Sequence, residues 1–332
     1  MKLIKKIREV YYFVKLDEFL FVSSDKNFNL EDNVMFIASK RLIKEIYYVY
    51  LYIDEVIKIF NKKTRKFDIL YDGFMGIRAN IKDKNKFLLS NKERSAYYLV
   101  KDFEIKGKYD TDKNIAIFYD DLCVVNPHFL KPQNQLSCYK LGDFDNKIWH
   151  FSLPEGFKIY GKIQLVENVL FFTAFKDVNK YENNYGIDIR TGNVLWVYNF
   201  KTPYDGEIIA YHINPENNLS YGYGGRLYQV FDPVNGKIVF EKDMSDYYEQ
   251  GVEPDLHRNS ISDGRLWFVS GYGENAKFGA ININTHEVEF IQDYPLELDY
   301  RFHKIIFHQN KLYVSDSGNT LHIFEKTSDE QV

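Results

Sequence analysis

The sequence predicts an all-β fold: a single seven-bladed β-propeller domain over residues 1–332, with four-stranded antiparallel blades and six blades as the alternative count. Three observations carry this expectation. Helical periodicity is scarce, and short strings rich in Val, Ile, Tyr, Phe and Trp alternate with Asn, Asp, Gly and Lys. A strand–turn–strand unit recurs along the chain. The clearest recurrences lie roughly 42–50 residues apart, the length of one four-stranded blade.

The unit is clearest at Gly186-Ile187-Asp188-Ile189-Arg190-Thr191-Gly192-Asn193-Val194-Leu195-Trp196. A second copy runs from Val230 through Asp232 and Gly236 to Phe240, and a third from Gly279 through Asn282 and His286 to Phe290. Each is a strand ending in Asp or Asn, a tight turn, and a strand carrying an aromatic residue. The Asp or Asn side chain can accept hydrogen bonds from turn amides, and Gly or Asn tolerates the positive φ that follows. The closing aromatic is expected to face a neighbouring sheet. Weaker copies place turns near 65, 105, 145 (at Asp145-Asn146, closing on Trp149) and 328.

A strand precedes each of these units. Arg265-Leu266-Trp267-Phe268-Val269-Ser270 matches Lys311-Leu312-Tyr313-Val314-Ser315 and, more loosely, Val169-Leu170-Phe171-Phe172-Thr173. Little chain follows the turn near 328. A strand within Lys2 to Val22 is therefore expected to complete the last blade and protect its edge.

Composition narrows the function classes. The chain has 43 Lys+Arg against 47 Asp+Glu, a net charge of −4. This offers no electrostatic case for nucleic acid or anionic membrane as a partner. The basic cluster at Lys2, Lys5, Lys6 and Arg8 is not followed by an uninterrupted apolar core or a small-residue cleavage site. The longest aromatic-rich run, Tyr47 to Ile53, is far short of a membrane span. Cys123 and Cys138 read as reduced, partly buried thiols, so a cytoplasmic location is expected.

The string from Ile187 to Trp196 resembles the repeat of quinoprotein-type propellers, which typically reads aliphatic-x-Asp-x-x-Thr-Gly-x-x-x-Trp. The resemblance is concentrated in residues 130–328. It implies the fold. Enzymes of that family carry pyrroloquinoline quinone, calcium and often a disulfide between adjacent cysteines. This chain has no adjacent cysteine pair and is much shorter, so no cofactor is expected. Short relatives of such propellers are generally binding modules or scaffolds, and fold alone does not assign function.

No P-loop, GxGxxG after a strand, HExxH, CxxC pair or GxSxG elbow occurs. Two groups of residues remain as candidate sites. His257 and His303 each precede an aromatic strand residue by ten positions, at Trp267 and Tyr313. With Arg258 and Arg301 they are expected at the mouth of the central channel. No third aligned ligand accompanies the histidines, so no metal is expected. The second group is the loop face, where Tyr223, Tyr247, Tyr248 and Tyr272 stand with Glu249 and Glu274. Tyr with carboxylates is an interface composition.

The reading that follows is a non-enzymatic, monomeric, protein-binding propeller acting by occlusion or scaffolding. Its concrete form is a bacterial immunity protein that neutralises a co-encoded toxin. The alternative is an enzyme or small-ligand sensor working at the channel mouth.

Overall fold

The computed structural model describes the chain except residues 17–18, 25–33, 39–43, 47–49, 54–55, 62–65, 73, 80–81, 84–85, 92, 94, 103, 127–133, 177–180, 201–208, 257 and 327–332. The described chain is built almost wholly of strands. These are β1 (Lys2–Ile7), then β2 (Val10–Leu16), β3 (Phe19–Ser24) and β4 (Val34–Ala38). Next come β5 (Lys44–Ile46), β6 (Tyr50–Ile53), β7 (Val56–Asn61) and β8 (Lys66–Asp72). They are followed by β9 (Phe74–Ala79), β10 (Lys86–Asn91), β11 (Ala96–Lys101) and β12 (Glu104–Asp110). Then come β13 (Ile115–Tyr119), β14 (Leu122–Val125), β15 (Gln135–Lys140) and β16 (Asp143–Ser152). The next group is β17 (Phe157–Val166), β18 (Val169–Lys176), β19 (Tyr181–Asp188) and β20 (Val194–Phe200). After it come β21 (His212–Ile213), β22 (Ser220–Gly224), β23 (Leu227–Asp232) and β24 (Lys237–Asp243). The last strands are β25 (Ser260–Ser262), β26 (Arg265–Ser270), β27 (Lys277–Asn282), β28 (Val288–Asp293), β29 (Phe302–His308), β30 (Lys311–Asp316) and β31 (Leu321–Glu325).

From β5 to β28 each successive group of four strands forms one antiparallel up-and-down sheet. The last sheet has the order β1-β31-β30-β29. Leu3 pairs with Phe324 and Ile7 with Leu321, so the N-terminal strand completes the final sheet as expected. The count of seven is not confirmed. Among the described residues the seven four-stranded sheets are joined by an eighth, three-stranded sheet β2-β3-β4, in which β3 and β4 run parallel. A parallel pair has no hairpin turn, so this sheet carries no Asp-to-Gly signature to count.

Contacts divide the chain into two compact units. The first comprises Met1–Ile43, Tyr204–Asp232 and Ile238–Val332; the second comprises Lys44–Pro203 and Pro233–Lys237. In the first unit, Trp267, Phe278 and Ala280 of the β25–β28 sheet pack with Phe302, Ile305 and Phe307 of the last sheet. Ile306, Tyr313 and Ile323 of that last sheet pack with Phe13, Leu20 and Val22. Tyr221, Tyr223 and Tyr228 pack with Leu266, Phe268 and Ile281. Middle strands covered on both faces therefore carry consecutive apolar residues, such as Leu266–Val269 in β26 and Val169–Phe172 in β18. Outer strands alternate exposed and half-buried positions, as in β24.

Among the described residues of the second unit, a core forms where Val124, Leu136, Cys138 and Trp149 meet Leu170, Phe172, Tyr185 and Ile187. Cys123 and Cys138 are free and buried. Burial, ahead of other influences, raises both thiols, Cys138 to about 12, so both stay protonated at neutral pH.

The repeated turn has the expected chemistry. Asp188 Oδ1 accepts from the amides of Arg190 (2.9 Å) and Thr191 (2.8 Å) and from Thr191 Oγ1 (3.0 Å). Asn282 Oδ1 accepts from the amides of Asn284 (2.9 Å) and Thr285 (3.2 Å) in the third copy. Gly192, Gly236 and His286 follow with φ of 74°, 67° and 61°. The turn expected at Asp145-Asn146 lies earlier, between β15 and β16, with Gly142 at φ 89°. Register shifts on both sides of Tyr139 let β16 begin at Asp143. The turns near 65 and 328 fall on residues outside the described ones.

Candidate interaction surface

In an antiparallel meander, the second-to-third-strand loop leaves the sheet at the same edge as the connections between sheets. In the first unit this edge carries Gly225–Arg226, residues 244–259, residues 271–276, residues 294–301 and residues 317–320. These segments hold one another. The Met244 amide donates to the Arg226 carbonyl (2.8 Å), the Gly273 amide to the Tyr300 carbonyl (2.6 Å), and the Leu296 amide to the Gly273 carbonyl (2.9 Å). The Ser317 amide donates to the Arg301 carbonyl (2.9 Å).

The 244–259 connection contains a short helix, α1 (Ser245–Glu249), where the sequence reads as an irregular loop. Asp243 Oδ1 accepts from the Ser245 amide (2.8 Å) and hydroxyl (2.6 Å), which starts the turn. Tyr247 is half-buried and packs on the core around Tyr221 and Phe268. Tyr248 is half-buried too, with the Arg226 guanidinium 3.9 Å above its ring centre. Glu249 is exposed.

Tyr272 is the outward aromatic of this edge, 65% exposed. It enters the single turn of 3-10 helix at Gly273–Asn275, which carries exposed Glu274. A Cβ on Gly273 would fall 3.9 Å from the Leu298 Cα, so Leu298 belongs to the same patch. At 81% exposed, Leu298 is the most exposed large apolar residue described, and sequence reasoning missed it. Its signal was a leucine flanked by Glu297 and Asp299 after Pro295, in a stretch too polar to be a strand. Glu253, Glu297 and Asp299 are exposed on the same connections.

Tyr223 must be withdrawn from the surface. It lies inside β22, is fully buried, and meets Phe268 edge-on at 5.1 Å. Its hydroxyl has no hydrogen-bond partner, and burial pushes its pKa up. The glycines around it suggested a loop, but Gly222 serves close packing. A Cβ there would fall 2.2 Å from Ile209 Cγ2.

His257 lies outside the described residues. The other three residues expected at the channel mouth come within electrostatic reach of one another. Arg258 Nε is 3.1 Å from Asp255 Oδ2, and its Nη1 donates to the Phe302 carbonyl (2.6 Å). Desolvation, then the charges of Arg258 and Arg301, hold His303 below the ordinary histidine value. The Arg258 guanidinium thus ties the 244–259 connection to β29. Among the described residues, no group of three or more His, Cys, Asp or Glu side chains could hold a metal ion. Among the described residues, no helix is long and apolar enough to cross a membrane.

No protein-family profile matches the chain, and no curated protein does. Among solved structures, the β-propeller domain of Cps50 (Swd1) from Myceliophteria thermophila is 9% identical, with a TM-score of 0.53 over 98% of this chain and 99% of that one. The fold is a β-propeller. BamB from Moraxella catarrhalis is 9% identical over 98% of each chain, with a TM-score of 0.46. A europium-containing methanol dehydrogenase is 13% identical over 63% of this chain and 49% of its own, with a TM-score of 0.42. The four-stranded sheets are accordingly blades.

Proposed function

We propose that this propeller is a non-enzymatic protein-binding module that works through the loop edge of its first unit. The observation that carries the reading is the pairing of Tyr272 with Leu298. Two large apolar side chains stand 65% and 81% exposed on neighbouring loops whose backbones are hydrogen-bonded together. A pre-organised aromatic–aliphatic pair gains contact area at little entropic cost.

Charge defines the partner. Glu249, Glu253, Glu274, Glu297 and Asp299 are exposed on the connections of this edge, where exposed Arg301 is the opposing charge. The partner should therefore present an apolar contact ringed by Lys or Arg. In its concrete form the partner is a bacterial toxin encoded beside this protein, and binding occludes it.

The test is affinity capture from the source cell with the full chain and with the double variant Tyr272→Ala, Leu298→Asp. A protein recovered by the first and lost by the second supports the reading. Equal recovery by both, or no protein recovered while a small molecule raises the melting temperature, transfers the function to another site.

A further inference from the structure

The opposite edge of the first unit, away from these loops, contains a pocket of about 450 Å³. That volume lies within the range of small-ligand sites, ~300–1,000 Å³. Its apolar wall is aromatic. Trp267 and Phe307 stack in parallel at 4.9 Å, and Phe290 meets Trp267 edge-on at 5.9 Å. The indole Nε1 is already spent on the Ser262 carbonyl (3.1 Å), so this wall offers rings rather than donors.

Four charged side chains line the same pocket, and along the chain of contacts they alternate in sign: Asp263, Arg265, Glu289, Lys326. The inner two satisfy each other. Arg265 Nε donates to Glu289 Oε2 (2.6 Å), and Asn282 Nδ2 donates to Glu289 Oε1 (2.9 Å). Arg265 Nη1 reaches Asp263 Oδ2 (2.8 Å) and its carbonyl (2.8 Å). Burial opposes the Glu289 charge, but these bonds and the charges of Arg265 and Lys326 outweigh it.

The outer two keep spare capacity. Among the described residues, Asp263 Oδ1 accepts no hydrogen bond and Lys326 Nζ donates none. Asp263 and Lys326 thus leave one carboxylate oxygen and one ammonium group uncommitted beside an aromatic wall, on a lining that Met1 also joins.

We propose that this pocket binds a small aromatic zwitterion of the amino-acid class. Its ring packs on Trp267, Phe290 and Phe307, its ammonium group meets Asp263, and its carboxylate meets Lys326. A singly charged ligand would leave one of the two free groups unpaired, and a neutral one would leave both. The site shares no residue with the loop edge and stands whether or not that edge binds a protein.

The experiment is calorimetric titration of the full chain with four probes: L-phenylalanine, N-acetyl-L-phenylalanine, L-phenylalaninamide and N-acetyl-L-phenylalaninamide. L-Phenylalanine should bind at least about fivefold more tightly than each of the others, the effect of one exposed ion pair. Lys326→Gln, at an exposed position, should weaken it by a similar factor without changing the melting temperature. Asp263→Asn should do the same; if it disturbs its turn, Lys326→Gln alone decides. Absence of L-phenylalanine binding, equal binding of either singly charged analogue, or unchanged affinity of Lys326→Gln would overturn the proposal.

Discussion

Trp149 lies directly beneath Gly192, the glycine of the turn in the following blade. Its indole Nε1 donates to the Ile189 carbonyl (2.8 Å), and a Cβ on Gly192 would fall 2.6 Å from the ring. The next blade repeats this relation. Trp196 Nε1 donates to the Val234 carbonyl (3.2 Å), and a Cβ on Gly236 would fall 2.3 Å from the indole. In the third copy the turn carries His286 instead, stacked on Phe240 at 4.0 Å. The turn glycine thus meets two demands at once, a left-handed backbone and a ring pressed against its Cα.

Trp149 is 7% exposed within a buried apolar core of its unit, so Trp149→Ala should cost about 3–5 kcal/mol. Trp196 is only half-buried and should cost less, about 2 kcal/mol. Denaturant midpoints with matched slopes would measure both. Equal losses would show that the two turns are not packed as described.

Gly192→Ala should destabilise the protein by about 2 kcal/mol or more, because strain at φ 74° adds to the clash with Trp149. The double variant Gly192→Ala, Trp149→Leu should recover part of that loss. Additive losses in the double-mutant cycle would separate the glycine from the ring.

The parts of the fold legible in sequence are those where one local motif performs several tasks. Asp188, Gly192 and Trp196 recur because turn chemistry and blade packing both demand them. The sheet β2-β3-β4 was not legible, since its parallel pairing needs no turn motif. Tyr223 was misread because Gly222 and Gly224 resemble loop punctuation, whereas Gly222 makes room for Ile209. At the candidate site, Tyr272 and Glu274 stood out by composition. Leu298 did not, because exposure depends on how two distant loops are hydrogen-bonded.

Tyr247 and Tyr248 behave differently from Tyr272. Since Tyr247 packs on the core and Tyr248 lies under Arg226, their joint change to Ala should lower stability by about 1–3 kcal/mol. Thermal unfolding checks this. An unchanged melting temperature would make them free surface residues.

His308 is buried, with Nε2 lacking a partner, and burial followed by the Lys15 charge holds its folded pKa at about 4. Above pH ~6.5 the ring is neutral in both states and its contribution is complete. As pH falls from ~6.5 towards 4 the unfolded chain takes the proton first, and up to about 3 kcal/mol is lost. His308→Gln should flatten the stability profile across that window. A profile of unchanged slope would show that His308 is not the group responsible.

Removal of residues 1–7 would strip β1 from β31 and expose its edge and the core beneath Leu3 and Ile7. The melting temperature should fall by about 10 °C or more. A truncated chain as stable as the full one would leave β1 without a structural role.

The most direct test of the binding account is the hydrogen-exchange footprint of the captured partner on the full chain. Protection should concentrate at residues 271–276 and 294–301, around Tyr272 and Leu298, and extend to Glu249. Protection confined instead to the turns at Gly192, Gly236 or His286 would contradict it.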